Sequence, residues 1–515
     1  MKRIFFSIAI CLFCFTFSGC HDLLHEPPEN AIIPTGIDYT ISEHLINPII
    51  GLYGRFYNNK GWEIFPLFSV RGDDVNAGGL GDQPQFAEFD RYVYYRDWWM
   101  SNVVWNHNYT RILEALSAER ELIQYKNHGA DPVAADRYIA ETKVLRAFWL
   151  YYLTLTWGPI LLPQTDDPTD LFVAPLMSQD EIMQHISDLM DEAIPYLANM
   201  HPRARTDIPG GVTRGTALAI KARANLHLKN YQKVAEATSE IINSGHFALF
   251  PDYHELFYTK LSSESLFEFQ YSHFNTSSGT QLNHPSNGFF GPQKISATEG
   301  WQPKESRVDG GWGFFEPSLT FIKFMLERGE TIRLETTVKF SPRGIVEIQK
   351  DPRWDNNLPS WLSNVSRSGD VLLDFPRAMF SAGKFILPSE RNILGRNNIS
   401  AGKNFLCIRY AEVLLMHAEA LVKGATSSSI SALEAVNLVR ERAQMPPVAS
   451  VNLDVIVDEK FAELATEWGH RFYDLVRWDR LEPLSYEERV FNRDRIFIPY
   501  PQAQTELLPV LRGIR

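Results

Sequence analysis

The sequence predicts a mainly α-helical fold in which helix pairs stack into a superhelix and one long stretch departs into loops and short strands. Three observations predict it. Apolar residues recur at helical spacing over long segments in both halves of the chain. Twice, two such segments are joined by a short polar turn. Between residues 251 and 404 this periodicity fades, and Gly, Pro, Ser, Asn and aromatic residues dominate. With 515 residues, 44% hydrophobic and 22% charged, the chain has enough apolar material for a large core, so disorder is not expected.

In chain order, helical periodicity covers residues 41–57 and then 98–126, where Ile112, Leu113, Leu116 and Ile123 form one stripe. The intervening residues 72–85 read as a loop. Residues 132–157 carry Tyr138, Thr142, Leu145, Trp149 and Tyr152 on one face, before Gly158 and Pro159 stop the helix. Ala217, Ile220, Ala224 and Leu228 then face Tyr231, Val234, Ala235, Thr238, Ile241 and Ile242 across the Lys229-Asn230 turn. This pair is similar to a tetratricopeptide unit, with small residues that allow close crossing. A second pair recurs where Ala411, Leu414, Leu415, Ala418 and Leu421 precede a polar turn and Ile430, Leu433 and Val436 begin the partner. Such units bury their faces only by stacking. Within 251–404, residues 265–271 and 336–340 read as strands and 317–326 as a helix. Long irregular stretches of this kind usually carry function, so the binding face is expected there.

Residues 458–478, DEKFAELATEWGHRFYDLVRW, are the most informative segment. Phe461, Leu464, Ala465 and Trp468 share one helical face, and Glu459, Glu463 and Glu467 the other. The first helix is expected to end near Gly469, with Phe472, Leu475 and Val476 facing inward on the next. Glu467 with Arg471, and Asp474 with Arg477, are spaced for local pairing. The segment resembles the E-R-x-x-E-L-x-x-E-G-x-R-x-x-D-L-x-R-W run of SusD/RagB-like outer-membrane lipoproteins, with Lys460 where arginine is usual and Trp468 directly before the glycine. IRYAEVLLMHAEAL at 408–421, NLVRERA at 437–443, IPYPQ at 498–502 and ETKVLRAFWLYYLTLTWGPILL at 141–162 resemble the same family in the same order. The resemblance implies a SusD-like scaffold with residues 41–250 as its N-terminal helical part, 251–404 as the variable ligand-binding part and 405–515 as the C-terminal helical part, all in one domain. It also implies a noncatalytic protein that binds glycan, or in some members peptide, above a SusC-like TonB-dependent transporter in the outer membrane.

Lys2 and Arg3 precede an apolar run over residues 4–17 that ends in Ser18, Gly19 and Cys20. This is a secretory signal, too short for a comfortable membrane span, and its ending is similar to a bacterial lipobox in which Cys20 becomes the acylated first residue. Phe17 departs from the commoner leucine. A plain cleaved signal followed by a free cysteine is the alternative. Residues 1–19 are thus a signal peptide, and 20–40 a lipid-anchored, proline-containing tether. Cys11 and Cys14 leave with the signal, so Cys20 and Cys407 remain and no disulfide framework is expected.

A formal charge of −12 repels nucleic acid over most of the surface, and no basic stripe with interleaved aromatics occurs. No phosphate-binding loop, metalloprotease helix, nucleophile elbow or dinucleotide fingerprint is present. The histidines are scattered without metal spacing, so neither a metal nor another cofactor is expected. Asp73-Asp74 and Asp166-Asp167 offer paired carboxylates of the kind a glycosidase needs, but read more simply as loop acids, or as weak calcium ligands. Aromatic residues are the better lead: a flat ring stacks on a sugar face while neighbouring polar groups bond its hydroxyls. Trp98, Trp99, Trp301, Trp312, Trp354 and Trp361 all lie in or beside glycine- or proline-containing stretches. The candidate ligand contacts are Trp98, Trp99, Trp301 and Trp312 with Asp73 and Asp74. A secreted glycoside hydrolase and a purely structural envelope scaffold are the competing readings.

Overall fold

The computed structural model describes residues 37–57, 64, 67–271, 301–302, 304, 312–391 and 403–513. Its helices are α1 (Asn47–Tyr57), α2 (Pro84–Phe89), α3 (Trp99–Asn127), α4 (Pro132–Trp157), α5 (Gln179–Ala193), α6 (Arg214–His227), α7 (Tyr231–Asn243) and α8 (Tyr253–Leu256). Within the irregular part lie α9 (Leu319–Glu327), α10 (Ile332–Thr337) and α11 (Pro342–Gln349), and after it α12 (Tyr410–Val422), α13 (Ala432–Arg442), α14 (Leu453–Leu464), α15 (His470–Arg477) and α16 (Gln502–Leu507). The mainly α class follows directly from these elements.

Local chemistry fixes the helix starts. Asp131 accepts hydrogen bonds from the Val133 and Ala134 N–H groups at 3.1 and 3.3 Å, and Pro132 opens α4 where a missing N–H costs nothing. Ser178 and Glu181 form a reciprocal capping box at α5. Successive helices then pack α3 on α4, α4 on α5, α5 on α6 and α6 on α7, and α7 lies directly against α12. The two helix pairs that the sequence separates are therefore neighbours in one stack. Polar stitches cross their junction: Thr238 Oγ1 lies 2.8 Å from His417 Nδ1, and Ser239 Oγ lies 2.7 Å from Ser427 Oγ.

Among the described residues, ten short strands form five two-stranded sheets: β1 (Val75–Gly78), β2 (Ile160–Leu161), β3 (Leu176–Met177), β4 (Ser265–Phe269), β5 (Trp301–Gln302), β6 (Phe314–Pro317), β7 (Val338–Phe340), β8 (Val371–Leu372), β9 (Phe380–Ala382) and β10 (Phe405–Arg409). The antiparallel β4–β10 ladder pairs Phe405 with Phe269 and Arg409 with Ser265. It sits between α8 and α12 in chain order, so the irregular part leaves and rejoins the helical stack at one place.

Four expectations are corrected. Residues 72–85 contain β1, a 3-10 turn at Gly79–Gly81 and the first turn of α2, because β1 has a distant partner in β6. Pro317 ends β6, and the helix starts at Leu319 behind the Ser318 cap. Residues 332–337 are helical, so β7 starts only at Val338. Helix α14 stops at Leu464, before Gly469, because Ala465 is extended and Thr466 and Trp468 take positive φ. Among the described residues no helix is long and apolar enough to cross a membrane.

Candidate ligand face and the ion network beneath it

The break after α14 is built by close approach. Gly469 has φ +70°, and a Cβ there would lie 1.7 Å from the Phe68 carbonyl oxygen, so only glycine fits. Trp468 beside it is 3% exposed. Its ring packs among Phe148, Tyr152, Phe269 and Phe405, and its Nε1–H donates to the Leu406 carbonyl at 3.1 Å.

The acidic residues of α14 and of the break after it, Glu459, Glu463 and Glu467, are buried. Glu459 accepts from Arg333 Nη1 at 2.6 Å, Arg328 Nη2 at 2.7 Å and Arg440 Nη1 at 2.8 Å. Glu463 takes Arg409 Nη1 at 2.6 Å and also pairs with Arg442. Glu467 takes Arg409 Nε at 2.9 Å and Lys384 Nζ at 2.7 Å. Glu264 joins Arg409 and Arg442, each at 2.8 Å. These cations outweigh the burial of the carboxylates: Glu467 is held down to about 2, chiefly against its desolvation by Arg409 and Lys384, and Glu463 lower still. Burial in turn brings Lys384 down to about 8 despite Glu467.

Arg471 does not pair with Glu467. Its Nε and Nη2 grip Asp73 at 2.6 and 3.0 Å, and its guanidinium lies 3.7 Å from the Phe461 ring centroid. Asp474 does pair with Arg477, Nε to Oδ1 at 2.7 Å, and Lys460 reaches the same carboxylate at 2.6 Å. Asp74 Oδ2 accepts the Thr466 N–H at 2.7 Å. Burial, aggravated by Asp73, raises Asp74 to about 6 although the Thr466 bond opposes it. Asp73 and Asp74 are 2% and 1% exposed, so the structure places both carboxylates in the seam beneath the loop rather than on its surface.

Above that seam, β1 pairs with β6, Val75 opposite Pro317 and Gly78 opposite Phe314. The Gly79 N–H donates to the Gly313 carbonyl at 2.8 Å, and a Cβ on Gly79 would lie 2.3 Å from the Phe314 ring. Phe86, Phe89, Trp98, Phe314 and Phe315 then pack in one aromatic cluster, with Phe89 and Trp98 centroids 4.8 Å apart. Trp98 is its buried member, at 3% exposure. Trp99, which opens α3, is 46% exposed, and Tyr95 close by is 40% exposed. Trp312 is half-buried against the core. Trp354 and Trp361 are half-buried around Phe321, Ile322 and Phe461. Trp301 pairs through its backbone with Leu372; its side chain, like Cys20, lies outside the described residues. The sequence-derived candidates thus divide into a buried set, Asp73, Asp74 and Trp98, and an exposed residue, Trp99, which Tyr95 joins as a further exposed ring nearby in sequence. Tyr95 was missed by sequence reasoning, although its place four residues before Trp99, in the loop that leads into α3, was a usable signal. Among the described residues, no three His, Cys, Asp or Glu side chains group to hold a metal ion.

The chain is similar to known proteins in sequence and in fold. Residues 263–507 match the SusD family. A SusD-like protein, P2, from Formosa agariphila is 25% identical, covering 93% of this chain and 91% of its own length. A laminarin-binding SusD-like protein superposes with a TM-score of 0.73 at 22% identity, covering 90% of this chain and 97% of that one. The surface glycan-binding protein A of Bacteroides thetaiotaomicron, solved with laminarihexaose, gives 0.70 at 19% identity, with 90% and 97% covered. Residues 263–507 belong to the SusD family, and the chain as a whole has the SusD-like fold.

Proposed function

We propose that this chain is a noncatalytic, cell-surface binding protein that captures an oligo- or polysaccharide and delivers it to a SusC-like TonB-dependent transporter. The family match over residues 263–507 carries the reading. The exposed rings of Trp99 and Tyr95 support it, because rings held open to solvent suit stacking on a pyranose. Cys20 is the lipid anchor to the outer membrane in this reading, and residues 20–40 are the tether. Glycan contacts are assigned to Trp99, Trp312 and Trp301. Asp73 and Asp74 then act by holding the loop in place, since Arg471 and Thr466 occupy them. The same occupation argues against this acidic pair as the open carboxylates of a glycoside hydrolase.

Purified protein titrated against a glycan panel tests the reading. One glycan class is expected to bind without being cleaved. Trp99→Ala and Trp312→Ala are each expected to weaken it about tenfold, the equivalent of about 1.4 kcal/mol, with the melting temperature little changed for Trp99→Ala. Turnover abolished by neutralising a single carboxylate would instead establish a hydrolase, and binding of peptides alone would move the ligand class.

A further inference from the structure

A small cavity of about 20 Å³ lies within the irregular part, lined by Lys339, Ser366, Ser368 and Asp370, with Leu372 and Ile386 among its apolar walls. That is room for one group about the size of a water molecule. Lys339 reaches it from the middle of β7, where it stands opposite Ser381 of β9. Glycine at 383 leaves the lysine side chain its path, since a Cβ there would lie 3.2 Å from Lys339 Cε and 2.1 Å from the Thr336 carbonyl oxygen.

The two charged groups of the cavity are unequally served. Asp370 Oδ1 accepts the Lys304 N–H at 2.9 Å and the Ser389 hydroxyl, and Oδ2 accepts the Ser389 N–H at 2.9 Å. Ser366 Oγ accepts the Asp370 N–H at 3.1 Å and lies 3.0 Å from Ser368 Oγ. Lys339 is 8% exposed, and among the described residues its ammonium has no hydrogen-bond or ion-pair partner. Burial brings this amine down to about 8, although Glu335 and Asp370 oppose the shift. A buried ammonium without an acceptor is costly, so the cavity favours a guest that brings an acceptor oxygen. Asp370 on the same wall disfavours an anion in that place. A hydroxyl suits both groups, because it accepts from the lysine and donates toward the carboxylate or the serines. The narrowness of the cavity selects a protruding group over a row of ring hydroxyls, and Leu372 and Ile386 suit a methylene.

We propose that this cavity is a saccharide subsite that takes the hydroxymethyl group of a hexose, with its oxygen on Lys339 Nζ and its methylene against Leu372 and Ile386. This rests on the glycan reading above and narrows it to chains that carry free hydroxymethyl groups. Leu372 pairs through its backbone with Trp301, so the subsite adjoins a residue already assigned to glycan contact.

Crystals of the protein soaked separately in methyl β-glucopyranoside, methyl β-xylopyranoside, which lacks the hydroxymethyl group, and methyl β-glucuronide test the cavity without reference to the polymer bound. The glucoside is expected in the cavity and the other two are not. Water alone with all three, the xyloside in the cavity, or the glucuronide in preference to the glucoside would overturn the inference. In solution, Lys339→Met is expected to weaken binding of the glycan found by the panel about tenfold. Its melting temperature is expected to hold or rise, because the ammonium has no partner in the fold to lose. Unchanged affinity would overturn the subsite and leave the glycan reading standing. A panel without a binder would overturn the glycan reading, and the soaks alone would then decide the cavity.

Discussion

Glu463 shows how much a single side chain carries here. Its carboxylate is fully buried and meets guanidinium groups from Arg409, Arg442 and Arg333, which arrive from β10, α13 and α10. Glu463→Gln keeps the shape and removes the charge, leaving three cations undercompensated in a dry site, and is expected to cost about 3–5 kcal/mol in urea unfolding. Asp74 titrates with the opposite sign. Its folded value of about 6 lies above the ordinary aspartate value, so its favourable contribution is complete below about pH 4 and is lost as pH rises through 6. Asp74→Asn is therefore expected to gain on the unaltered protein by about 2–3 kcal/mol between pH 4 and 7, read as a growing difference in urea midpoints. Asp474 with Arg477 was legible as a local pair because both lie within one helix. Glu467 with Arg471 was not, because Thr466, Trp468 and Gly469 all adopt positive φ and swing the two apart. The burial of the acids of α14 was not legible for a related reason: their spacing along a helix shows which residues share a face, but not that arginines from β10, α10 and α13 converge on it.

At the scale of elements, β1 and β6 show what periodicity cannot reveal. Four residues of strand in a glycine-rich stretch carry little signal of their own, and their partner is more than two hundred residues away. The long helices α3 and α4 were legible because each repeats its apolar stripe over many turns and ends at recognisable stops. The segment before β1 is fastened to the first turn of α15 by Asp73 with Arg471, and to the turn before α15 by Asp74 with Thr466. A double-mutant cycle of Asp73→Asn with Arg471→Met is expected to give a coupling of about 2–3 kcal/mol. Strict additivity would show that the loop is held by other contacts. Trp98 and Trp99 separate support from contact within one dipeptide. Trp98→Ala empties a place between Phe86 and Phe89 and is expected to destabilise by about 3–5 kcal/mol, whereas Trp99→Ala is expected to leave the melting temperature within about 2 °C.

Across the whole molecule, the charged network joins parts that the sequence presents as separate. Arg328, Glu330, Arg333 and Lys384 belong to the irregular stretch, while Glu459, Glu463 and Glu467 belong to the helical end of the chain. The segment most diagnostic of the family therefore anchors the segment proposed to read the ligand. Cys20→Ser is expected to release the protein from the membrane fraction, as measured by immunoblotting of separated fractions; retention in cells lacking the transporter would argue against a lipid tether.

The β4–β10 ladder has one more consequence, for how such a protein diverges. Its two strands hold the base of the irregular excursion at the spacing of adjacent strands, about 4.8 Å, whatever the length of chain between them. The helical stack on either side is closed by α7 on α12 and does not register that length. Insertions and exchanges in the excursion are thus cheap for the scaffold, provided that each replacement still supplies the buried arginines and lysine that α14 requires. New specificity can be acquired by exchanging this one excursion between the two strands of the ladder, with its counter-ions and the strand that pairs β1 retained.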